Sequence, residues 1–187
     1  MEKSCMEIAP HPQLLEALFI YKPKVSTVFR HVLGIYEINH IAITQISSSN
    51  QILTFSSTPA MEFNLFNSNL WLYDKSYHPN WFSQCIQAEW QSLYMENRYD
   101  ELYYLKQVKH HYPIGYTMAA KIEQNFFIYS FASHRSCDQT REIFTHRYDE
   151  FYKIGQYCSK MLSPLFQNYF DLPSLLSNTK DEYETSD

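Results

Sequence analysis

Small hydroxyl side chains lie among aromatic residues in two apolar runs of the sequence, 115–122 and 126–133. These hydroxyl residues are Thr117, Ser130 and Ser133. A ligand pocket is usually apolar, with a few polar groups that fix the orientation of the ligand, so this mixture could line such a pocket. The same mixture is typical of an ordinary core sheet, and the two runs by themselves do not separate these interpretations.

His134 and Cys137 are the residues that come nearest to a nucleophilic pair. They lie three residues apart, and a helix beginning nearby would lower the pKa of a thiol. A nucleophile also needs an orienting group and an oxyanion motif, and neither is evident. The adjacent His110 and His111 would point about 100° apart on a helix, so they are poorly placed to share one metal ion. We therefore expect no enzymatic activity, no metal and no cofactor.

The composition predicts a folded chain rather than a disordered one. Aromatic residues make up 17% of the 187 residues, and such a chain can bury a substantial core. With 3 glycines, phosphate-cradling loops are disfavoured, and no apolar run is long enough to span a membrane. The four cysteines lack paired metal-ligand spacing and the first residues lack a signal-peptide pattern, which together predict free thiols in the cytoplasm.

The negative charge is concentrated at the C-terminus. Of the net charge of -5, most comes from residues 171–187, which contain five acidic residues and one lysine. A nucleic-acid-binding protein usually shows a basic face, and none is visible here. We expect a single domain over residues 1–170, followed by an acidic, disordered tail over 171–187.

Alternating apolar positions predict two β-hairpins separated by helical segments. The expected strands are 40–46, 51–56, 115–122 and 126–133. An apolar stripe with helical spacing predicts one long helix over 138–166. This order favours the α+β class: a mainly antiparallel sheet flanked by helices, in an α/β/α sandwich.

The segment before the helical middle carries Met61, Leu65 and Asp74, spaced by four and then nine residues. With the order of elements above, residues 15–168 resemble the autoinducer-binding domain of LuxR-type quorum-sensing regulators. In that family, Trp, Tyr and Asp occupy these three positions and hold the ligand, so only Asp74 is kept. An alternative register places the pair at Trp90 and Tyr94, but Asp100 then comes three residues too early and too few residues remain before Gly115.

The resemblance implies a ligand site formed by Met61, Leu65, Tyr73, Asp74, Trp90, Gly115 and Ser133. In this site Asp74 would accept a hydrogen bond, Trp90 would form an aromatic wall and Ser133 would supply a hydroxyl. Met61 and Leu65 cannot donate the hydrogen bonds that Trp and Tyr donate in the family. We therefore expect a ligand less polar than an acyl-homoserine lactone.

The function that the resemblance implies is a sensor domain that binds an apolar or acyl small molecule and signals to transcription or to a partner protein. The resemblance also implies a homodimer through the long C-terminal helix, or a regulator partner. The family's helix-turn-helix has no counterpart in the acidic segment after residue 170, so we expect no direct DNA binding by this chain. The alternative is a ligand-free protein-interaction module on the same fold, and a closed core would favour it.

Overall fold

A six-stranded sheet forms the centre of the protein. The computed structural model describes residues 7–170, so the predicted acidic tail lies outside the described residues. In chain order the strands are β1 (Ala9–Pro10), β2 (His40–Ile46), β3 (Gln51–Ser56), β4 (Gln87–Glu89), β5 (Ile114–Ile122) and β6 (Asn125–Ser133). Their spatial order is β1-β3-β2-β6-β5-β4, and every neighbouring pair is antiparallel except β1 and β3.

Helices cover both faces of the sheet. They are α1 (Leu14–Ile20), α2 (Lys22–Arg30), α3 (Pro59–Asn67), α4 (Pro79–Phe82), α5 (Trp90–Leu93), α6 (Tyr99–Tyr103), a π-helix (Tyr104–Lys109), α7 (Asp138–His146) and α8 (Tyr148–Phe170). Short 3₁₀ turns lie at Ile35–Glu37, Leu70–Tyr73, Lys75–Tyr77 and Glu96–Arg98. Across residues 7–170, no helix is both long and apolar enough to cross a bilayer.

The central strands have no exposed face. All seven residues of β2 are buried, which requires a layer on each side of the sheet. Ile41 pairs with Phe131 on the face that packs against α8, where Phe131 contacts Phe151. Ala42 and Thr44 point to the opposite face, toward the segment from α3 to the π-helix. The structure therefore confirms the predicted α+β class and both hairpins.

The prediction of one long helix over 138–166 is wrong in one respect, because this segment forms two helices. The chain leaves helical geometry at Arg147, where φ is -102° and ψ is 43°. The first helix, α7, packs beside β5, while α8 packs against β2 and β6, so the chain changes direction between them. The guanidinium of Arg147 lies 4.8 Å from the centre of the Tyr36 ring at this corner. The apolar spacing continues across the break, which is why the sequence pattern did not show it.

Gly155 lets α8 approach the sheet closely. A Cβ atom on Gly155 would lie 2.2 Å from Cδ2 of Tyr129, a distance that carbon atoms do not tolerate. The Tyr129 hydroxyl also lies 3.3 Å from the Ser159 hydroxyl, one helical turn further along α8. The glycine therefore fixes the distance between α8 and β6.

We predict that Gly155→Ala destabilises the fold by about 1–3 kcal/mol, because overpacking costs more than the helix propensity that alanine adds. The free energy of unfolding in urea measures this effect. Gln156→Ala, at an exposed position of the same helix, is the control and should remain within about 0.5 kcal/mol of wild type. Equal stability of Gly155→Ala and wild type would contradict the close packing.

Candidate functional site

A small internal cavity lies between the sheet and the segment from α3 to the π-helix. Its volume is about 10 Å³, which is room for about one water molecule. The residues that line it come from three strands and four other elements: Ala42, Thr44, Met61, Glu62, Leu65, Ser76, Tyr77, Trp90, Lys106, Thr117, Ile128 and Ser130. Half of these residues are Ser, Thr, Glu or Lys, so the wall is more polar than the sequence predicted.

A buried ion pair lies beside this cavity, with Lys106 in the lining and Asp74 behind it. Lys106 Nζ donates to Asp74 Oδ2 at 2.7 Å, and both side chains are almost completely buried. The other oxygen, Asp74 Oδ1, accepts from the backbone N–H and the hydroxyl of Ser76, at 3.0 and 2.7 Å. The carboxylate is therefore fully paired within the protein.

Trp90 stands between the ion pair and the strands. Its indole N–H donates to Thr117 Oγ1 at 3.1 Å and to Ser130 Oγ at 3.0 Å. The Lys106 ammonium lies 4.7 Å from the centre of the indole ring, a cation–π distance. A Cβ on Gly115 would come within 2.4 Å of the same ring, so only glycine leaves room for it. The structure thus gives Gly115 a definite role beside Trp90.

Glu62 and His40 form a second buried polar pair beside the ion pair. His40 Nε2 lies 3.6 Å from Glu62 Oε1, which is longer than a hydrogen bond. Burial raises the pKa of Glu62 to about 8, against the opposing effect of the Lys106 charge. Burial also lowers the pKa of His40 to about 3, and the Lys106 charge adds to that shift. Both groups are therefore uncharged at pH 7.

A chain of hydrogen bonds extends from His40 toward the edge of the domain. His40 Nδ1 lies 2.9 Å from Thr58 Oγ1, and that hydroxyl lies 2.7 Å from the hydroxyl of Tyr112. The Tyr112 ring stacks on His134, with ring centres 4.6 Å apart. This chain holds the His40 ring in place, with its Nε2 edge toward Glu62.

Three of the site residues predicted from the resemblance line the cavity: Met61, Leu65 and Trp90. Asp74 lies directly behind it, joined through Lys106, and Gly115 lies under Trp90. Asp74 is not a free acceptor as predicted, because Lys106 and Ser76 already occupy both of its oxygens.

The other two predicted residues lie elsewhere. Ser133 is buried at the end of β6, where its hydroxyl donates to Asn39 Oδ1 at 3.2 Å. Tyr73 is half-buried, with the Arg98 guanidinium 5.3 Å from its ring centre. The predicted meeting of Asp74, Trp90 and Ser133 therefore does not occur, and a ligand role for Ser133 or Tyr73 stays a prediction.

The residues that the sequence analysis missed are the charged ones, Glu62 and Lys106, together with His40. Glutamate and lysine are rarely buried unless they are paired, so their default interpretation is an exposed position. One signal was available: Glu62 lies next to Met61 within the segment that resembles the ligand-binding one. No comparable signal marked Lys106, which lies on a π-helix, an element often found at functional sites.

The candidate nucleophilic pair is not assembled. His134 Nδ1 lies 2.7 Å from the carbonyl oxygen of His111, while Cys137 Sγ lies 3.1 Å from the hydroxyl of Thr140. Among residues 7–170, no group of three or more His, Cys, Asp and Glu side chains could hold a metal ion. The three described cysteines, Cys85, Cys137 and Cys158, are free.

Comparison with solved structures identifies the fold. SdiA from Escherichia coli matches with a TM-score of 0.52 at 13% identity, covering 83% of this chain and 68% of SdiA. SdiA in complex with octanoyl-rac-glycerol matches with a TM-score of 0.51 at 12% identity, covering 84% and 66%. The ligand-binding domain of VqsR from Pseudomonas aeruginosa gives 0.47 at 12%, covering 80% and 93%.

The two SdiA matches confirm the resemblance at the level of the fold, which is that of the LuxR-type autoinducer-binding domain. The chain spans about two thirds of the length of each SdiA chain. No protein-family model matches the chain, and no curated protein matches it significantly. The particular role of this chain therefore has to be argued from its own site.

We predict that Lys106→Met lowers stability by about 3–5 kcal/mol, because it leaves the buried Asp74 carboxylate without its cation. The double variant with Asp74→Asn should recover most of this loss, since an asparagine oxygen still accepts from Ser76. Urea unfolding of the wild type, both single variants and the double variant measures the coupling.

A control for this cycle is the exposed pair of Arg98 and Glu101, where Arg98→Met should change stability by about 1 kcal/mol or less. Losses that simply add in the Lys106 and Asp74 double variant would show that the two charges do not depend on each other.

We predict that Glu62→Gln removes a pH dependence of stability. The folded state holds the Glu62 proton up to about pH 8, whereas the unfolded chain releases it near 4.5, so the free energy of unfolding should fall as pH rises between these values. His40 acts in the opposite direction around and below its ordinary pKa of 6.5, and so do His11 and His110, whose pKa values burial also lowers. The contribution of Glu62 is therefore the difference in slope between the wild type and Glu62→Gln, measured by urea unfolding between pH 6.5 and 8.

In that range the wild type should lose about 1 kcal/mol per pH unit, and Glu62→Gln should show a flatter profile. The control is Glu101→Gln, an exposed carboxylate on α6, which should keep the wild-type slope. A Glu62→Gln profile parallel to the wild type would mean that Glu62 is ionised in the folded protein.

Proposed function

We propose that the chain is a small-molecule-sensing domain of LuxR type, which binds a ligand with an acyl or other apolar tail between the sheet and the segment from α3 to the π-helix. The observation that carries this proposal is the buried pair of Lys106, which lines the cavity, and Asp74, which lies directly behind it. Burying two charges costs free energy that apolar packing would avoid. Beside this pair, burial raises the pKa of Glu62 and lowers that of His40, and buried titratable groups with shifted pKa values are typical of functional sites.

The cavity is too small for a whole ligand, and Tyr77 separates it from a larger space. Tyr77 lines both the internal cavity and an open surface groove of about 790 Å³. Aromatic side chains form much of the groove wall, among them Trp71, Phe82 and Phe126. Rotation of the Tyr77 ring would join the two spaces, with the polar part of a ligand inside and its tail in the groove.

The structure of SdiA with octanoyl-rac-glycerol supports an acyl tail as the apolar part. In our proposal the ligand-bound domain signals to transcription or to a partner regulator. Homodimerisation, a cytoplasmic location and the lack of direct DNA binding by this chain remain predictions of the same proposal. The site has no assembled nucleophile, so a binding role is a better fit to its geometry than an enzymatic one.

A ligand-free protein-interaction module is the second candidate. The observation that favours it is the small size of the internal cavity, about 10 Å³, since a closed core needs no ligand for stability. The two candidates differ in whether the Tyr77 ring rotates and joins the cavity to the groove.

We predict that the purified protein forms a one-to-one complex with octanoyl-rac-glycerol in native mass spectrometry. The melting temperature should rise with the concentration of this compound, because binding stabilises the folded state. Tyr77→Ala removes the ring between cavity and groove, so it should bind more tightly than the wild type. Tyr77→Phe keeps the ring and serves as the control, with wild-type affinity.

The absence of a complex with both the wild type and Tyr77→Ala, in variants that are folded by circular dichroism, would reject the sensor proposal and leave the interaction module. Tighter binding by Tyr77→Phe as well as by Tyr77→Ala would instead show that the hydroxyl, and not the ring, closes the cavity.

A further inference from the structure

The polar wall of the cavity contains a carboxyl oxygen without a hydrogen-bond partner. Glu62 lines the cavity, is 4% exposed, and its Oε2 atom is buried with no partner in the protein. The Nε2 atom of His40, beside the other Glu62 oxygen, is also buried and unpaired. Buried polar atoms are nearly always hydrogen-bonded in folded proteins, to protein groups or to ordered water, so these two neighbouring atoms indicate a place for a polar group in the cavity.

The charges around these atoms are already balanced. Asp74 neutralises Lys106 at 2.7 Å. Burial keeps Glu62 protonated at pH 7, with a pKa of about 8, and keeps His40 neutral. A carboxylate ligand would add an uncompensated negative charge close to Asp74, which a buried site disfavours.

A protonated carboxyl group can both donate and accept a hydrogen bond, and so can a neutral imidazole. A ligand group that only accepts can bond to a Glu62 oxygen only when that oxygen carries the proton. A group that both donates and accepts can bond to that oxygen with or without the proton. Primary amides and hydroxyls are groups of this kind.

We propose that the ligand of this site carries an uncharged head group with both a hydrogen-bond donor and an acceptor, and that this head group binds at Glu62, beside the Asp74–Lys106 pair. This inference rests on the sensor function proposed above and assigns the chemical class of the ligand. Glu62 is then a specificity-determining residue, and the apolar tail of the ligand lies on the Tyr77 side.

Three compounds with the same acyl chain test the inference: octanamide, methyl octanoate and sodium octanoate. Their head groups respectively donate and accept, only accept, and carry a negative charge. At pH 7, isothermal titration of the full chain should give about tenfold tighter binding of octanamide than of methyl octanoate, the size expected from one hydrogen bond of about 1.4 kcal/mol. Sodium octanoate should bind most weakly.

Two substitutions at one position separate hydrogen bonding from packing. Glu62→Gln keeps a neutral donor and acceptor, so it should retain the preference for octanamide. Glu62→Met keeps the aliphatic stem but removes both polar atoms, so octanamide should lose its advantage over methyl octanoate. Both variants are checked for folding by their urea unfolding curves.

The outcomes distinguish this inference from the function on which it rests. If none of the three compounds binds the wild type, the acyl-sensor proposal fails and this inference fails with it. If octanoate binds as tightly as octanamide, or if Glu62→Met keeps the preference for octanamide, the head-group inference fails while the sensor function stands.

Discussion

The arrangement of the interior depends on one ion pair, between Asp74 and Lys106. The two residues are 32 positions apart in the chain, and their contact ties the segment after α3 to the π-helix. The position of Lys106 in turn places a positive charge against the Trp90 ring, and the ring fits only because Gly115 has no side chain. The same charge adds to the effect of burial on the pKa of His40 and opposes the effect of burial on the pKa of Glu62. Packing, electrostatics and the candidate ligand site thus share a single contact.

Much of the fold could be predicted from the sequence, because the pattern of apolar residues that marks a strand lies within a few neighbouring positions. The two hairpins were found within one residue of their observed ends, and the helical cover followed from their separation along the chain. The strands β1 and β4 were missed since two or three residues are too few to show alternation. The break at Arg147 was missed because the apolar stripe continues through it.

The candidate site was predictable only in part, for a physical reason. Met61, Leu65 and Trp90 are apolar or aromatic, so their burial agrees with their residue type. Glu62 and Lys106 are buried although glutamate and lysine are usually exposed, and such burial depends on partners that are distant in the sequence. A single sequence shows no sign of these partners. The misplacement of Ser133 has the same origin, because its hydroxyl serves a local contact with Asn39 that spacing does not reveal.

Successive residues of the central strands point to opposite faces of the sheet. On β6, Ile128 and Ser130 line the cavity, while Tyr129 and Phe131 contact α8. A substitution on the cavity face therefore leaves the α8 face chemically unchanged, and the backbone that both faces share stays in place. Evolution can accordingly alter the recognition surface of such a domain without dismantling its architecture. This separation is consistent with a fold that is shared at 13% sequence identity.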